Sequence, residues 1–292
     1  MATLRELKGR IGSVASSEKI TGAMKMISSA KMHKAEGALK RLKPYRSTIE
    51  TIIANLLSAD ATFTSPLAES RPVNHITVVA LGSDDGLCGA YNVNIAKYLI
   101  ERVAELKNAH GAALQVDIVP VGKKLAKAVK RLHGTDGLTV TIPDVNSKSE
   151  GDAVKAFVDG LQKAFLTGAT DAVDVIYMNY VSAGRQVARL DRLMPLSADV
   201  FGTGKATGRP YIFEPDAQTI FRTVLPMYIL SMAQEVFVEN RASEQAARVM
   251  AMQSANDNAK KLLDQLSLEY NNLRQQSITT ELLDIVGGRV RD

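Results

Sequence analysis

The residues best placed to do chemistry are Gly82-Ser83-Asp84-Asp85-Gly86-Leu87-Cys88-Gly89, which follow the strand-like run Ile76–Leu81. A dinucleotide-binding fold carries its phosphate loop at that place. The glycine spacing is not G-x-G-x-x-G, however, and two aspartates in the turn would repel a pyrophosphate, so the segment reads as a tight strand-to-helix turn. Neither Gly122-Lys123-Lys124 nor Gly204-Lys205-Ala206 completes a G-x-x-x-x-G-K-[ST] loop, and no nucleotide-hydrolysing loop is recognisable. Cys88, the single cysteine, is a candidate nucleophile because a helix N-terminus lowers a thiol pKa. Asp84 and Asp85 act the other way, and a packed small thiol is the plainer reading. His33, His75, His110 and His133 are dispersed, without metal-ligand spacing. No cofactor or metal is expected.

Charge is the second chemical signal. The chain carries a net +5, yet residues 1–50 hold eleven Lys and Arg against four Asp and Glu, a surplus of seven. The basic positions Lys19, Lys25, Lys31, Lys34, Lys40, Arg41, Lys43 and Arg46 suit an acidic partner. Acidic protein loops and nucleic acid both satisfy that charge, although the aromatic interleaving of a single-strand binder is missing. One cysteine excludes an internal disulfide framework. No apolar run approaches the roughly 20 residues of a membrane span, and the first residues lack the features of a secretory or transit segment. A soluble chain, reaching any membrane through partners, is expected.

The elements that must position these residues are of two kinds. Between Pro226 and Gly287 lie sixty residues with neither proline nor glycine. A helix of that length reaches roughly 90 Å, whereas a globule of this chain length has a radius of gyration near 19 Å, roughly. Such a helix must project. Its narrow stripe (Met232, Val236, Ala242, Ala246, Val249, Leu262, Leu263, Leu266, Leu273) requires one partner helix. The partner is the N-terminal segment. There Leu4, Leu7, Ile11 and Val14 give heptad spacing, which returns at Ala35, Ala38, Leu42, Tyr45, Ile49, Ile52 and Leu56. Between them the seam is expected to pass through Ser17, Thr21, Met24, Ser28 and Lys31, with a change of phase like a stutter.

The middle alternates strand-like and helical runs. Strands are predicted at 76–81, 116–121 and 173–180, helices near 93–108, 123–132 and 150–167, and an extended stretch at 186–196. This predicts an α/β fold class, a Rossmann-like α/β domain with a small parallel sheet, inserted between long N- and C-terminal helices that form an antiparallel left-handed coiled coil. The expected divisions are 1–58 (N-terminal helix), 73–196 (α/β domain), 197–216 (a Gly/Pro-rich linker) and 217–286 (C-terminal helix). A Rossmann-type enzyme with helical extensions and a basic coiled-coil protein that binds nucleic acid are the rival classes.

Four segments, in order along the chain, carry a family resemblance. Lys19-Ile20-Thr21-Gly22-Ala23-Met24-Lys25-Met26-Ile27-Ser28-Ser29-Ala30-Lys31-Met32 resembles the N-terminal signature of the gamma subunit of F-type ATP synthases. Ser83–Gly89 is similar to that family's central turn, Ile278–Gly288 to its C-terminal signature, and Glu244–Met252 adds a fourth match. Asp85 stands where the family usually has arginine, Gln245 where histidine is common, and Arg289 where a small residue is typical. The resemblance implies a central rotor shaft that couples proton-driven c-ring rotation to ATP synthesis or hydrolysis at the beta subunits and performs no catalysis itself. The implied partners are the alpha3beta3 hexamer, the epsilon subunit and the membrane c-ring, with no nucleic acid. It further implies rotor–stator contacts at Met24, Lys25, Arg248, Arg274, Gln275, Thr279 and Glu281. The implied location is peripheral, on the cytoplasmic face of a bacterial inner membrane or the matrix or stromal face of an organelle.

Overall fold

The computed structural model describes residues 3–57, 64–196 and 212–288. Helix α1 spans Leu4–Leu57; the sheet strands are β1 (His75–Leu81), β2 (Gln115–Val121), β3 (Leu138–Val140), β4 (Ala172–Ser182) and β5 (Arg185–Met194). Helices α2 (Tyr91–His110), α3 (Lys123–Val129) and α4 (Asp152–Leu166) lie between strands, and α5 (Ala217–Gly288) follows the sheet. The strand order is β3-β2-β1-β4-β5. The first four strands are parallel and β5 is antiparallel to β4. The sheet is therefore mixed, not parallel throughout. Only Ala183 and Gly184 join β4 to β5, and a two-residue turn can connect antiparallel neighbours alone, since a parallel return needs a crossover of about a dozen residues. The linker expected over 197–216 lies, as far as residue 211, outside the described residues.

The chain divides into two compact units, residues 1–28 with 248–292, and residues 29–247. The division falls within both long helices. The reason is burial. In the second unit Ile49, Ile53 and Leu56 of α1 join Phe221, Leu225, Tyr228 and Ile229 of α5 in one core with α4 and one sheet face. A fully buried side chain of this size contributes roughly 1.5–3 kcal/mol. Ile53, Leu56, Leu225, Tyr228 and Ile229, all at 0% exposure, thus attach these helix segments firmly to the sheet. The opposite face packs on α2 and α3 through Ile76, Val78, Ile95, Leu99, Ile118 and Leu125.

Beyond residue 176, β4 runs past its pairing with β1, and α5 satisfies the backbone it leaves open. Ser243 Oγ donates to Met178 O at 2.7 Å, Met178 N donates to Asn240 Oδ1 at 3.4 Å, and Tyr180 N donates to Glu239 Oε1 at 3.3 Å. Asn240 also donates to Gly82 O at 3.1 Å and accepts from Tyr91 Oη at 2.7 Å. A polar residue at 1% exposure persists because every one of its groups is paired.

Within the second unit Tyr180 Oη donates to Glu36 of α1, and His33 Nδ1 lies 3.0 Å from the other carboxylate oxygen. The Tyr180 hydroxyl is the main cause that holds Glu36 below the ordinary carboxylate pKa. A carboxylate depressed in the folded state stabilises above its unfolded pKa, and that stability is lost as pH falls through the folded value. Tyr180→Phe is therefore expected to cost roughly 1 kcal/mol at pH 7, with the gap narrowing once pH drops below about 4.3. Urea unfolding of both proteins at pH 7 and pH 3.5 checks this; a gap of constant size would show that Glu36 is not involved.

Candidate functional site

At the turn after β1 the would-be phosphate position is filled from within the chain. Asp84 Oδ1 accepts from Lys123 N at 3.0 Å, at the start of α3, and Oδ2 accepts from Ser147 N at 3.0 Å and Ser147 Oγ at 2.8 Å. A carboxylate here satisfies the orphan donors that an anion would otherwise occupy. Ser83 is fully buried; its N–H donates to Asn92 Oδ1 at 3.0 Å and its hydroxyl to Asp85 O at 2.8 Å. Asn92 Nδ2 completes the knot by donating to Ser83 Oγ at 2.7 Å. Cys88 is 3% exposed and packs with Tyr91, Ile95 and Leu125 in the core. This is a structural turn whose polar groups are spent on one another. Among the described residues no cluster of three or more His, Cys, Asp or Glu could hold a metal.

The seven residues implied by the resemblance all fall in the first unit. Met24 and Lys25 are half-buried, Arg248 is buried, and Arg274, Gln275, Thr279 and Glu281 are exposed. What positions them is a seam. On α1 one covered row of this unit runs through Leu4, Leu7, Ile11, Val14, Glu18, Thr21, Lys25 and Ser28, alternating by three and four without a break, with Ala15, Gly22 and Met24 half-buried beside it. On α5 the corresponding row is Met252, Asn256, Ala259, Leu263, Leu266, Tyr270, Leu273 and Ser277, with the same alternation, and Ala251, Gln253, Ala255 and Ser267 are half-buried beside it. Strict 3-4 spacing is the signature of a left-handed pair.

The expected stutter is absent. Ser17 and Lys31, expected on the seam, are exposed, whereas Glu18 and Lys25 are partly covered, since a long stem can be covered while its head reaches water. In the second unit Arg46 and Ile53 are covered in place of Tyr45 and Ile52, and Leu39 is buried more deeply than half-buried Ala38. Tyr45 is 50% exposed. Arg46, one of the basic positions expected to meet an acidic partner, instead bonds Glu50 at 2.8 Å and Glu235 at 3.1 Å and lies 5.8 Å from the Tyr228 ring centroid. Burial opposes its charge, yet Tyr228, Glu235 and Glu50 outweigh it and hold the guanidinium above its ordinary range. Leu262, assigned to the stripe, is 39% exposed.

Asn256, which the sequence reading missed, fixes the register. At 6% exposure it donates to Glu18 O at 2.7 Å and Thr21 Oγ1 at 3.3 Å. One turn further along α5, Lys260 reaches back to Glu18 at 4.0 Å, so the two helices run in opposite directions. An asparagine at a seam position specifies alignment at some cost in stability; its place in a Pro- and Gly-free heptad was the signal available. Counting turns from this contact brings Met24 and Lys25 level with residues 253–254 and Leu4 level with Arg274. Gln275, Thr279 and Glu281 thus lie past the first residue of α1. The seven residues form two groups about 35 Å apart along α5. In the further group the Thr279 hydroxyl donates to Gln275 O at 2.9 Å.

Of the three departures, Asp85 pairs with exposed Lys148 at 2.8 Å, Gln245 is buried and donates to Glu244 at 3.4 Å, and Arg289 lies outside the described residues.

A family model described as ATP synthase matches residues 3–290. The ATP synthase gamma chain of Bacteroides fragilis is 39% identical over 292 residues, covering 99% of each chain. That of Cupriavidus pinatubonensis is 33% identical over 295 residues, again with 99% of each chain covered. Among solved structures, the fold is similar to a chain of the Euglena gracilis mitochondrial ATP synthase (OSCP/F1/c-ring), with a TM-score of 0.66 at 21% identity, covering 98% of this chain and 93% of the other. A chain from the Tetrahymena thermophila mitochondrial enzyme (central stalk and c-ring) gives a TM-score of 0.57 at 23% identity, covering 81% of this chain and 99% of that one.

Proposed function

Because this chain belongs to the ATP synthase gamma-chain family, we propose that it is the non-catalytic central shaft of an F-type ATP synthase. In this reading it couples rotation of a membrane c-ring to ATP synthesis or hydrolysis in an alpha3beta3 head, with an epsilon subunit bound to its lower part. The observation that carries the proposal is the 39% identity to a named gamma chain across 99% of both proteins. The origins of the similar Tetrahymena chain, a structure of central stalk and c-ring, and of the similar Euglena chain, one of OSCP, F1 and c-ring, support F1 and the c-ring as partners. No helix of the described residues is long and apolar enough to cross a membrane, which accords with a peripheral position against the membrane.

The geometry favours transmission over chemistry. The polar groups of the Ser83–Cys88 turn bond one another, Asn92, Lys123 N and Ser147, as suits a turn that holds strand and helices together. At the far end of α5, Ile278, Leu282 and Ile285 recur at helical spacing and are 45%, 57% and 64% exposed. Apolar side chains on one stripe of a helix that has outrun its partner suit enclosure by surrounding subunits. Met24 and Lys25 form the nearer contact group and Arg274, Gln275, Thr279 and Glu281 the further one. Successive orientations of the shaft would have to differ in contact free energy for coupling to occur.

Truncation after Leu273 tests the division of labour. The melting of the 29–247 unit is expected to stay unchanged, while protons moved per ATP hydrolysed fall in reconstituted membranes. Full coupling by the truncated chain would contradict the role given to the further contact group.

A further inference from the structure

The second unit contains a cavity of about 590 Å3 that the shaft reading does not use, lined by α1, α5 and the start of α4. Its volume falls in the range of small-molecule sites, roughly 300–1,000 Å3. One wall is apolar and comes from two facing helices: Ala35 and Ala38 of α1, Phe237 and Val238 of α5. The charged lining is unbalanced. Lys148 is neutralised by Asp85 and Arg241 by Glu150, and the remaining carboxylate, Glu244, is 2% exposed. Lys31, Lys34 and Arg41 also line the cavity, are exposed, and have no ion-pair partner among the described residues. The first turn of α4 opens at the same place. Gly151, the N-cap, lines the cavity without a side-chain cap hydrogen bond, but Ala153 N donates to Glu150 O at 3.3 Å and Asp152 stands in the first turn, so the helix end is no part of the anion site.

From this combination we propose that the cavity is a binding site for a small amphiphilic anion, one negatively charged head on a flat or short aliphatic apolar body. Lys34 and Arg41 take the head, and the body lies between Ala38 and Phe237. Neither part of the site suffices alone. Exposed lysine and arginine heads hold a free anion weakly in water, and the apolar wall alone offers no reason for one sign of charge. The inference is independent of the shaft reading, since it concerns a ligand of the isolated unit and would survive if that reading failed.

The probe is 1-anilinonaphthalene-8-sulfonate, titrated by fluorescence into the folded full-length chain, beside its uncharged relative N-phenyl-1-naphthylamine. The wild type should bind the sulfonate saturably at one site and more tightly than the neutral compound. The doubly substituted Lys34→Glu/Arg41→Glu chain, altered only at exposed positions, should lose about tenfold or more in sulfonate affinity and keep its affinity for the neutral probe. Ala38→Trp, which fills the cavity, should abolish both. Melting curves verify that each variant is folded. Equal sulfonate affinity in the wild type and the charge-reversed chain, or binding that survives Ala38→Trp, would overturn the proposal.

Discussion

Gly122→Ala should unfold at a markedly lower urea concentration than the wild type, by about 3 kcal/mol in the stability of the 29–247 unit. Two costs combine. Gly122 has φ +112°, where an L side chain is strained, at roughly 1–2 kcal/mol. A Cβ there would also lie 2.9 Å from the carbonyl carbon and oxygen of Ser83 and 3.0 Å from its nitrogen. Those atoms are backbone and cannot swing aside, so overpacking adds roughly 1–3 kcal/mol. The approach is close because the ends of β1 and β2 are tied across this point: Gly82 N donates to Val121 O at 2.8 Å and Lys124 N to Ser83 O at 3.0 Å. Gly111→Ala is the control. It shares a positive φ, +93°, but has nothing within 4 Å of the added carbon, and should cost only the first part, roughly 1–2 kcal/mol. Equal losses for the two variants would show that crowding at Ser83 contributes nothing.

A loss of similar size is expected at Asp174. This carboxylate, at 0% exposure on β4, points into the face formed by Val78, Ala172 and Ile176, and it meets the Arg192 guanidinium of β5 through two nitrogens, the second at 3.3 Å. Removal of the cation alone leaves a buried charge without compensation, which typically costs 3–5 kcal/mol; Arg192 is 35% exposed, which favours the lower end, about 3 kcal/mol. Arg192→Leu should therefore be strongly destabilised. The double variant Asp174→Val/Arg192→Leu should regain most of the loss, because a buried ion pair is often replaceable by apolar groups at little cost. Urea midpoints of the three proteins decide the matter. A double variant no more stable than the single one would mean that the pair contributes stability as such and is not merely an obligation of the buried carboxylate.

Much of the fold was legible because its strongest signals are local. Sixty residues without proline or glycine could only be a long helix, and the apolar runs of β1, β2 and β4 are strands buried on both faces. What escaped has physical reasons too. Strand β3 is three residues long and buries one of them, Leu138, too little to stand out from a loop. The stretch at 186–196 was assigned no direction, although the two-residue Ala183–Gly184 turn before it already implied an antiparallel β5. The seam of α1 was misphased after Val14 because adjacent residues compete for each position: hydropathy prefers Tyr45 to Arg46, whereas Glu235 and Tyr228 give Arg46 a place the sequence does not display. At the turn, sequence indicated that Asp84 would repel a phosphate. That its carboxylate binds Lys123 N and Ser147, the latter sixty-three residues away, depends on tertiary contacts no local pattern records. The contact groups at Met24–Lys25, Arg248 and Arg274–Glu281 came from resemblance, and the helix register adds only their levels along α5.

The central claim is that this chain turns as a shaft within a catalytic head. Cys88 is 3% exposed, so a cysteine placed at the exposed β4–β5 turn by Ala183→Cys offers a selective point for attaching a bead. The chain is assembled with alpha and beta subunits, the head is fixed to a surface, and ATP is supplied. The account predicts sustained rotation of the bead in one direction, stopping when ATP is withdrawn. A bead that stays fixed, or only diffuses, while the same assembly hydrolyses ATP would contradict it.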